Sequence, residues 1–180
     1  MNNKPIIIVG GEPFSIFFEI LFKSKNKINL KKSIILIASK KLVVLQMKKL
    51  GYNFEINLIN KDQINCNLLD KKKINLINVD FKFNKIFDKI SNKSNTYINK
   101  SFDIALKILK KEKCSGLING PISKKYFLKG KSLGITEYLA KKTKNNNNVA
   151  MLIYNKKLSV SPITTHLALK DVHKNISKQK

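Results

Sequence analysis

The chain has 180 residues, 43% of them hydrophobic, which suits one domain, or one domain with part of another, and excludes a disordered composition. The formal net charge is +25, yet all 36 basic residues are lysine, whereas a surface that reads phosphate or guanine in bidentate fashion would use arginine. The lysines are spread along the chain among abundant Asn and Ile, residues of AT-rich codons, so the charge reads as a solvated surface and nucleic acid is not an expected partner.

Pro5–Val9 reads as a buried strand, ended by Gly10-Gly11 and Pro13. Phe14–Lys23 is then expected to be helical, with Phe14, Phe17, Phe18 and Leu21 on one face. Ser33–Ser39 is a second buried strand, followed by a helix over Lys40–Leu50 that Gly51 terminates. In the middle of the chain, Phe54–Ile59 and Ile74–Val79 alternate as strands do. Ile98, Phe102, Ala105, Leu106 and Leu109 recur at helical spacing. Gly116–Asn119 is a short strand, Gly120-Pro121 breaks it, and Ser123 is placed to cap the next turn. Thr136–Lys142 is a further helix with Thr136 as N-cap. Val149–Tyr154 and Leu158–Ile163 read as adjacent strands, and a helix is expected from Leu167 onward. This rhythm predicts an α/β fold, a mainly parallel sheet with Ile6–Val9 and Ile34–Ala38 central and buried on both faces.

The apolar runs are too short to span a bilayer. The start Met1-Asn2-Asn3-Lys4-Pro5 leads straight into a strand with no apolar leader, so the expectation is a cytoplasmic protein without a membrane partner. Cys66 and Cys114 are far apart and show no CxxC spacing, which reads as reduced, inert thiols.

Three segments carry candidate chemistry: Gly120-Pro121-Ile122-Ser123-Lys124, Gly134-Ile135-Thr136-Glu137 and Ser161-Pro162-Ile163-Thr164-Thr165-His166. His166 follows an apolar strand and two threonines, where an imidazole would project from a strand end into a cleft. His173, beside Lys174-Asn175, reads as a surface residue. With the opening Ile6-Ile7-Ile8-Val9-Gly10-Gly11-Glu12-Pro13, these segments resemble the 4-hydroxythreonine-4-phosphate dehydrogenase family of pyridoxal phosphate biosynthesis. The resemblance runs from Pro5 to about Ile176 and is densest from Ser94 to Asp171.

The resemblance implies a three-layer sandwich like that of isocitrate and isopropylmalate dehydrogenases. It implies NAD- or NADP-dependent oxidation and decarboxylation of 4-phosphooxy-threonine in pyridoxine biosynthesis. A divalent cation (Zn, Mg or Co) polarises the hydroxyl, and three histidines hold it in a homodimer; His166 matches the first of them. Thr136 matches a contact to the phosphorylated substrate, Ile135 stands where the family has histidine, and the Lys124 position falls near an anionic group or serves a structural role. After Gly-Glu-Pro the family's small residues are replaced here by Phe14-Ser15-Ile16-Phe17-Phe18, while Glu19 still matches in position. The family's chains are nearly twice as long, so residues 1–180 read as a truncated, N-terminal substrate- and metal-binding portion with no evident internal boundary, inactive by itself. Because Ile135 alters a substrate contact, a paralogous dehydrogenase of another phosphorylated four-carbon hydroxy acid is the alternative. A non-catalytic basic binding protein is the other, and the absence of arginine counts against it.

Overall fold

The β-branched run Ile6–Val9 forms strand β1, and Ile34–Ala38 forms β2 beside it. This arrangement comes from a computed structural model that describes residues 4–27, 32–62, 64, 69–111, 114–145, 149–164 and 167–176. The chain divides into two units, Met1–Lys131 and Ser132–Lys180.

The first unit contains a five-stranded sheet, completed by β3 (Ile56–Leu58), β4 (Ile74–Asn78) and β5 (Gly116–Asn119) in the order β3-β4-β2-β1-β5. Every pairing is parallel, in agreement with the sequence reading. β1 and β2 are both internal to the sheet, and Ile7, Val9, Ile35, Leu36 and Ile37 are buried to within 1%. Near-continuous burial is what a strand covered on both faces requires, and it explains why neither strand alternates.

Helix α1 (Phe17–Lys27) and α2 (Lys40–Lys49) cover one face. Phe18 and Phe22 of α1 and Leu42, Val43 and Met47 of α2 pack there on Ile8, Leu36, Ala38, Ile74 and Leu76. Burying each large apolar side chain contributes about 1.5–3 kcal/mol. Strand alternation turns Ile7, Val9, Ile35 and Ile37 to the opposite face. There α3 (Asn95–Lys110) contacts β1, β2 and β5. The three expected layers are present in this unit.

Several local expectations are corrected. α1 starts at Phe17, because residues 12–16 form a turn in which Ser15 N–H and Oγ both donate to the Glu12 carbonyl. Its fully buried residues are Phe18 and Phe22, while Phe14 leaves the helix and packs on Phe81 at 5.7 Å. α3 buries Tyr97, Ile98, Ser101, Phe102, Ala105 and Ile108, so its face is rotated away from Leu106 and Leu109, which are only half-buried.

In the second unit, α4 spans Ile135–Thr143. The two strands expected over 149–163 reduce to one antiparallel bridge, Ile153 with Val160. The helix expected from Leu167 is replaced by two 3₁₀ turns, Leu169–Asp171 and His173–Asn175, which bury no residue. Exposed apolar side chains explain both outcomes: without a layer to cover them, neither a sheet nor a helix gains burial energy.

Candidate functional site

β1 leads through α1 to β2 on one side, whereas β5, reached after α3, pairs on its other side. The connections therefore diverge between β1 and β5, and the carboxyl ends of two such strands form the crevice where α/β proteins bind ligands. Two segments meet there: Gly10–Pro13 after β1 and Gly120–Lys124 after β5.

They meet backbone to backbone. Gly11 has φ +71°, and a Cβ on it would fall 2.3 Å from the Pro121 carbonyl oxygen. A Cβ on Gly120 would fall 2.2 Å from the Gly10 carbonyl oxygen. The Glu12 N–H donates to the Pro121 carbonyl at 2.8 Å. The glycine at 120 thus admits the neighbouring loop. Pro13 is held in turn by Gln46 of α2, whose Nε2 donates to its carbonyl at 3.1 Å and to that of Ile86 at 2.8 Å.

Between the loops lies Glu12, 1% exposed. Ser94 Oγ, at the start of α3, donates to Glu12 Oε2 at 2.8 Å, and the Ser123 N–H donates to Oε1 at 3.4 Å. Burial raises the Glu12 carboxyl above the ordinary glutamate range, and the two hydrogen bonds oppose that rise only in part. Ser123 also accepts from Tyr126 N–H at 3.0 Å and so caps the turn after it, as expected. That turn, Lys124–Leu128, is a single π-turn closed by Leu128 N–H to Ser123 O and Lys129 N–H to Lys124 O. Lys129 ends it in the left-handed region at φ 48°. Lys124 opens the turn and is exposed.

Farther along the same edge, Asn78 at the end of β4 accepts from Lys40 N–H at 2.8 Å. It thereby caps α2, which Ser39 does not. Tyr97 Oη accepts from the Ser39 N–H, and burial drives its phenol well above the ordinary tyrosine range. A cavity of about 290 Å³ opens beside Ser94, walled by Phe14, Phe81 and Phe83 with Lys82 and Lys93 among its other residues. A second cavity of about 240 Å³, on the α1 face, reaches Ile34 and Ile74 at the amino ends of β2 and β4. That is the end of a parallel sheet where ligands are not expected.

In the second unit, Gly134 is the N-cap of α4, with φ −158° and ψ −172°. Thr136 is therefore in the first turn and is not the cap, because Gly134 O already accepts from Tyr138 N–H at 3.2 Å. Glu137 Oε2 lies 3.1 Å from where a Cβ on residue 134 would stand, so the glycine leaves room for that carboxylate. Ile135 and Thr136 are both half-buried. His166, with Thr165, lies outside the described residues, as does Cys66; Cys114 is buried and His173 is exposed. Among the described residues no three His, Cys, Asp or Glu side chains gather as metal ligands, so those residues do not by themselves fit a cation. Sequence reasoning misses Glu12 and Ser94. A signal is present as Gly-Glu-Pro, but nothing local shows that its glutamate faces inward.

The fold defines an α/β protein built on a wholly parallel five-stranded sheet. The family model of the pyridoxal phosphate biosynthetic protein PdxA matches residues 30–180, and the chain belongs to that family. It is 32% identical to the 4-hydroxythreonine-4-phosphate dehydrogenase of Sulfurihydrogenibium sp. (strain YO3AOP1), covering 97% of this chain and 53% of the relative. It is 29% identical to the protein of the same name from Wigglesworthia glossinidia brevipalpis, covering 96% and 52%. The chain thus spans about half the length of the curated relatives it matches. The crystal structure of the Burkholderia phymatum enzyme of that name superposes with a TM-score of 0.83 at 20% identity, over 99% of this chain and 55% of that one. The Klebsiella pneumoniae structure gives 0.77 at 20%, over 95% and 54%. At such identities the structures speak for the fold.

Proposed function

We propose that the chain is the first portion of a 4-hydroxythreonine-4-phosphate dehydrogenase. With the remaining length of such a protein, it would oxidise and decarboxylate 4-phosphooxy-threonine, using NAD or NADP, on the way to pyridoxal phosphate. The observation that carries this reading is the family match across residues 30–180. The parallel sheet and its crevice between β1 and β5 agree with it.

In this reading Lys124 and Thr136 contact the phosphorylated substrate, Ile135 occupies a position beside it, and His166 is one ligand of a divalent cation. Nicotinamide supplies the hydride acceptor when bound; no residue of this chain is assigned to it. The chain's own contribution is to bind and orient: a lysine at the opening of a capped turn is a point charge suited to a phosphate group. Homodimerisation belongs to the same reading. The exposed apolar side chains of the second unit, Leu152, Ile153, Tyr154, Leu158 and Ile163 among them, support a protein partner there. A cytoplasmic location belongs to the same reading; no helix among the described residues is long and apolar enough to cross a membrane.

The test joins residues 1–180 to the second half of the Sulfurihydrogenibium relative and follows NADH formation with 4-phosphooxy-threonine and a divalent metal. Turnover is expected in the fusion and not in residues 1–180 alone. His166→Ala should abolish it, because a three-histidine site loses one ligand in three, while His173→Ala should leave it unchanged. Normal turnover of a folded His166→Ala fusion would reject the metal assignment.

A further inference from the structure

Glu12 is unusual in its setting. The chain carries 36 lysines, yet the ion pairs among the described residues are Lys23–Glu19, Lys73–Glu55 and Lys174–Asp171, and none includes this carboxylate. A buried carboxylate without a cation opposes folding unless hydrogen bonds offset its desolvation. All of its polar atoms are engaged. The N–H reaches Pro121, the carbonyl accepts from Ser15, and the two carboxyl oxygens accept from Ser94 Oγ and Ser123 N–H. Three chain segments, far apart in sequence, therefore converge on one side chain at the switch point of the sheet.

We propose that Glu12 is a positioning residue: its carboxylate latches the Gly120–Lys124 loop to the loop after β1 and to the start of α3, and so fixes the shape in which Lys124 meets an anion. The role of Lys124 in that statement rests on the function proposed above; the latch itself does not. The ionised form is the one that holds. Ser94 has one hydroxyl proton and two acceptors in reach, Glu12 Oε2 at 2.8 Å and the Ser91 carbonyl at 2.9 Å. Ionised Glu12 draws that proton, and charge-assisted hydrogen bonds are about twice as strong as neutral ones. Protonated Glu12 can donate to Ser94 Oγ, which then turns its own proton to Ser91 and leaves Ser123 with a weaker acceptor. The groups facing the carboxylate are Ser94 from the start of α3 and the Ser123 N–H from the loop after β5. Neither titrates in the acid range. The neighbouring Lys93 and Lys124 are exposed.

The experiment uses the 180-residue chain labelled with ¹⁵N. In the wild type, the Ser123 and Tyr126 amide shifts should titrate together with one midpoint above 4.5, the ordinary glutamate value. In Glu12→Gln that titration should vanish and the Ser123 N–H should exchange several-fold faster, because the amide oxygen that replaces the carboxylate is a weaker acceptor. Amides of β1 and β2 should exchange no faster. Glu12→Asp, which keeps the charge but loses a methylene of reach, should not restore Ser123 protection; a role of charge alone would be restored. Ser94→Ala, which leaves the carboxylate in place, should move the midpoint upward. Unchanged Ser123 exchange in Glu12→Gln, or a midpoint indifferent to Ser94→Ala, would overturn the latch. Inorganic phosphate should shift the Lys124 amide in the wild type and do so at several-fold higher concentration in Glu12→Gln. If Ser123 follows Glu12 while phosphate leaves Lys124 unmoved in the wild type, the latch stands and the substrate-site reading fails.

Discussion

Replacing Gly120 by alanine tests the interlock of the two loops more directly than any change of a polar group. The new Cβ would stand 2.2 Å from Gly10 O and 2.8 Å from Gly10 C, both backbone atoms, so no side-chain rotation can relieve the contact. A Cβ atom does not approach a non-bonded heavy atom closer than 3.0 Å, so the loops must part by about 0.8 Å. If that movement were taken along the bond from Glu12 N–H to Pro121 O, it would lengthen from 2.8 Å to about 3.6 Å, past the limit of a hydrogen bond. Overpacking costs about 1–3 kcal/mol. An unpaired buried amide or carbonyl costs about 1–3 kcal/mol more. The expected loss, about 2–6 kcal/mol, is a large part of the 5–15 kcal/mol that typically holds a domain together. Three glycines calibrate it. Gly11→Ala meets Pro121 O and also a φ of +71°, so it should be at least as damaging. Gly51→Ala has φ +76° with nothing within 4 Å and should lose only the left-handed strain, about 1–2 kcal/mol. Gly116→Ala, with ordinary φ and open space, should be close to neutral. Urea unfolding followed by far-ultraviolet circular dichroism suits a chain without tryptophan. A Gly120→Ala stability within about 1 kcal/mol of Gly116→Ala would refute the interlock, since that is less than the overpacking term expected.

Three further outcomes follow from the same structure. Burial raises the Glu12 carboxyl above 4.5, so the folded state holds its proton to higher pH than the unfolded chain does. Its contribution to stability is therefore full below 4.5 and is lost as pH rises through the folded value. Glu12→Gln should accordingly be more stable than wild type at neutral pH, with the difference closing on acidification; urea midpoints across pH would show the opposite slope if the sign were wrong. Phe102→Ala empties a fully buried position against Phe127 and should cost about 3–5 kcal/mol by the same unfolding assay; a loss under about 1 kcal/mol would contradict its place in the core. In the fusion described above, Ile135→His should raise kcat/KM about tenfold, one added polar contact being worth roughly 1–3 kcal/mol; an unchanged value would remove residue 135 from the substrate's surroundings.

Much of this protein is decided by local order. The runs Ile6–Val9 and Ile34–Ala38 lack alternation because both faces are covered, and that same lack of alternation is legible along the chain as the mark of central parallel strands. Gly51 and Ser123 act where short-range chemistry puts them, one at a left-handed turn and the other as a cap. Helical periodicity locates α3 but not its buried face, because Tyr97 and Ile108 are chosen over Leu106 and Leu109 by how the helix rolls on β1, β2 and β5. The strands expected near 149–163 have the right residues and no sheet to join, which pattern alone cannot register. The site shows the same division. Gly-Gly-Glu-Pro and Gly-Pro-Ile-Ser-Lys are each legible as turns, but their sequence separation hides that one loop's glycine makes room for the other loop's carbonyl. That Glu12 is a buried carboxylate between Ser94 and Ser123 follows only from the order β2-β1-β5, which sets two distant strand ends side by side. Local propensity acts over a few residues and can be read along the chain. Burial and hydrogen-bond partnership depend on which segments the sheet brings together, and that is settled only in the folded structure.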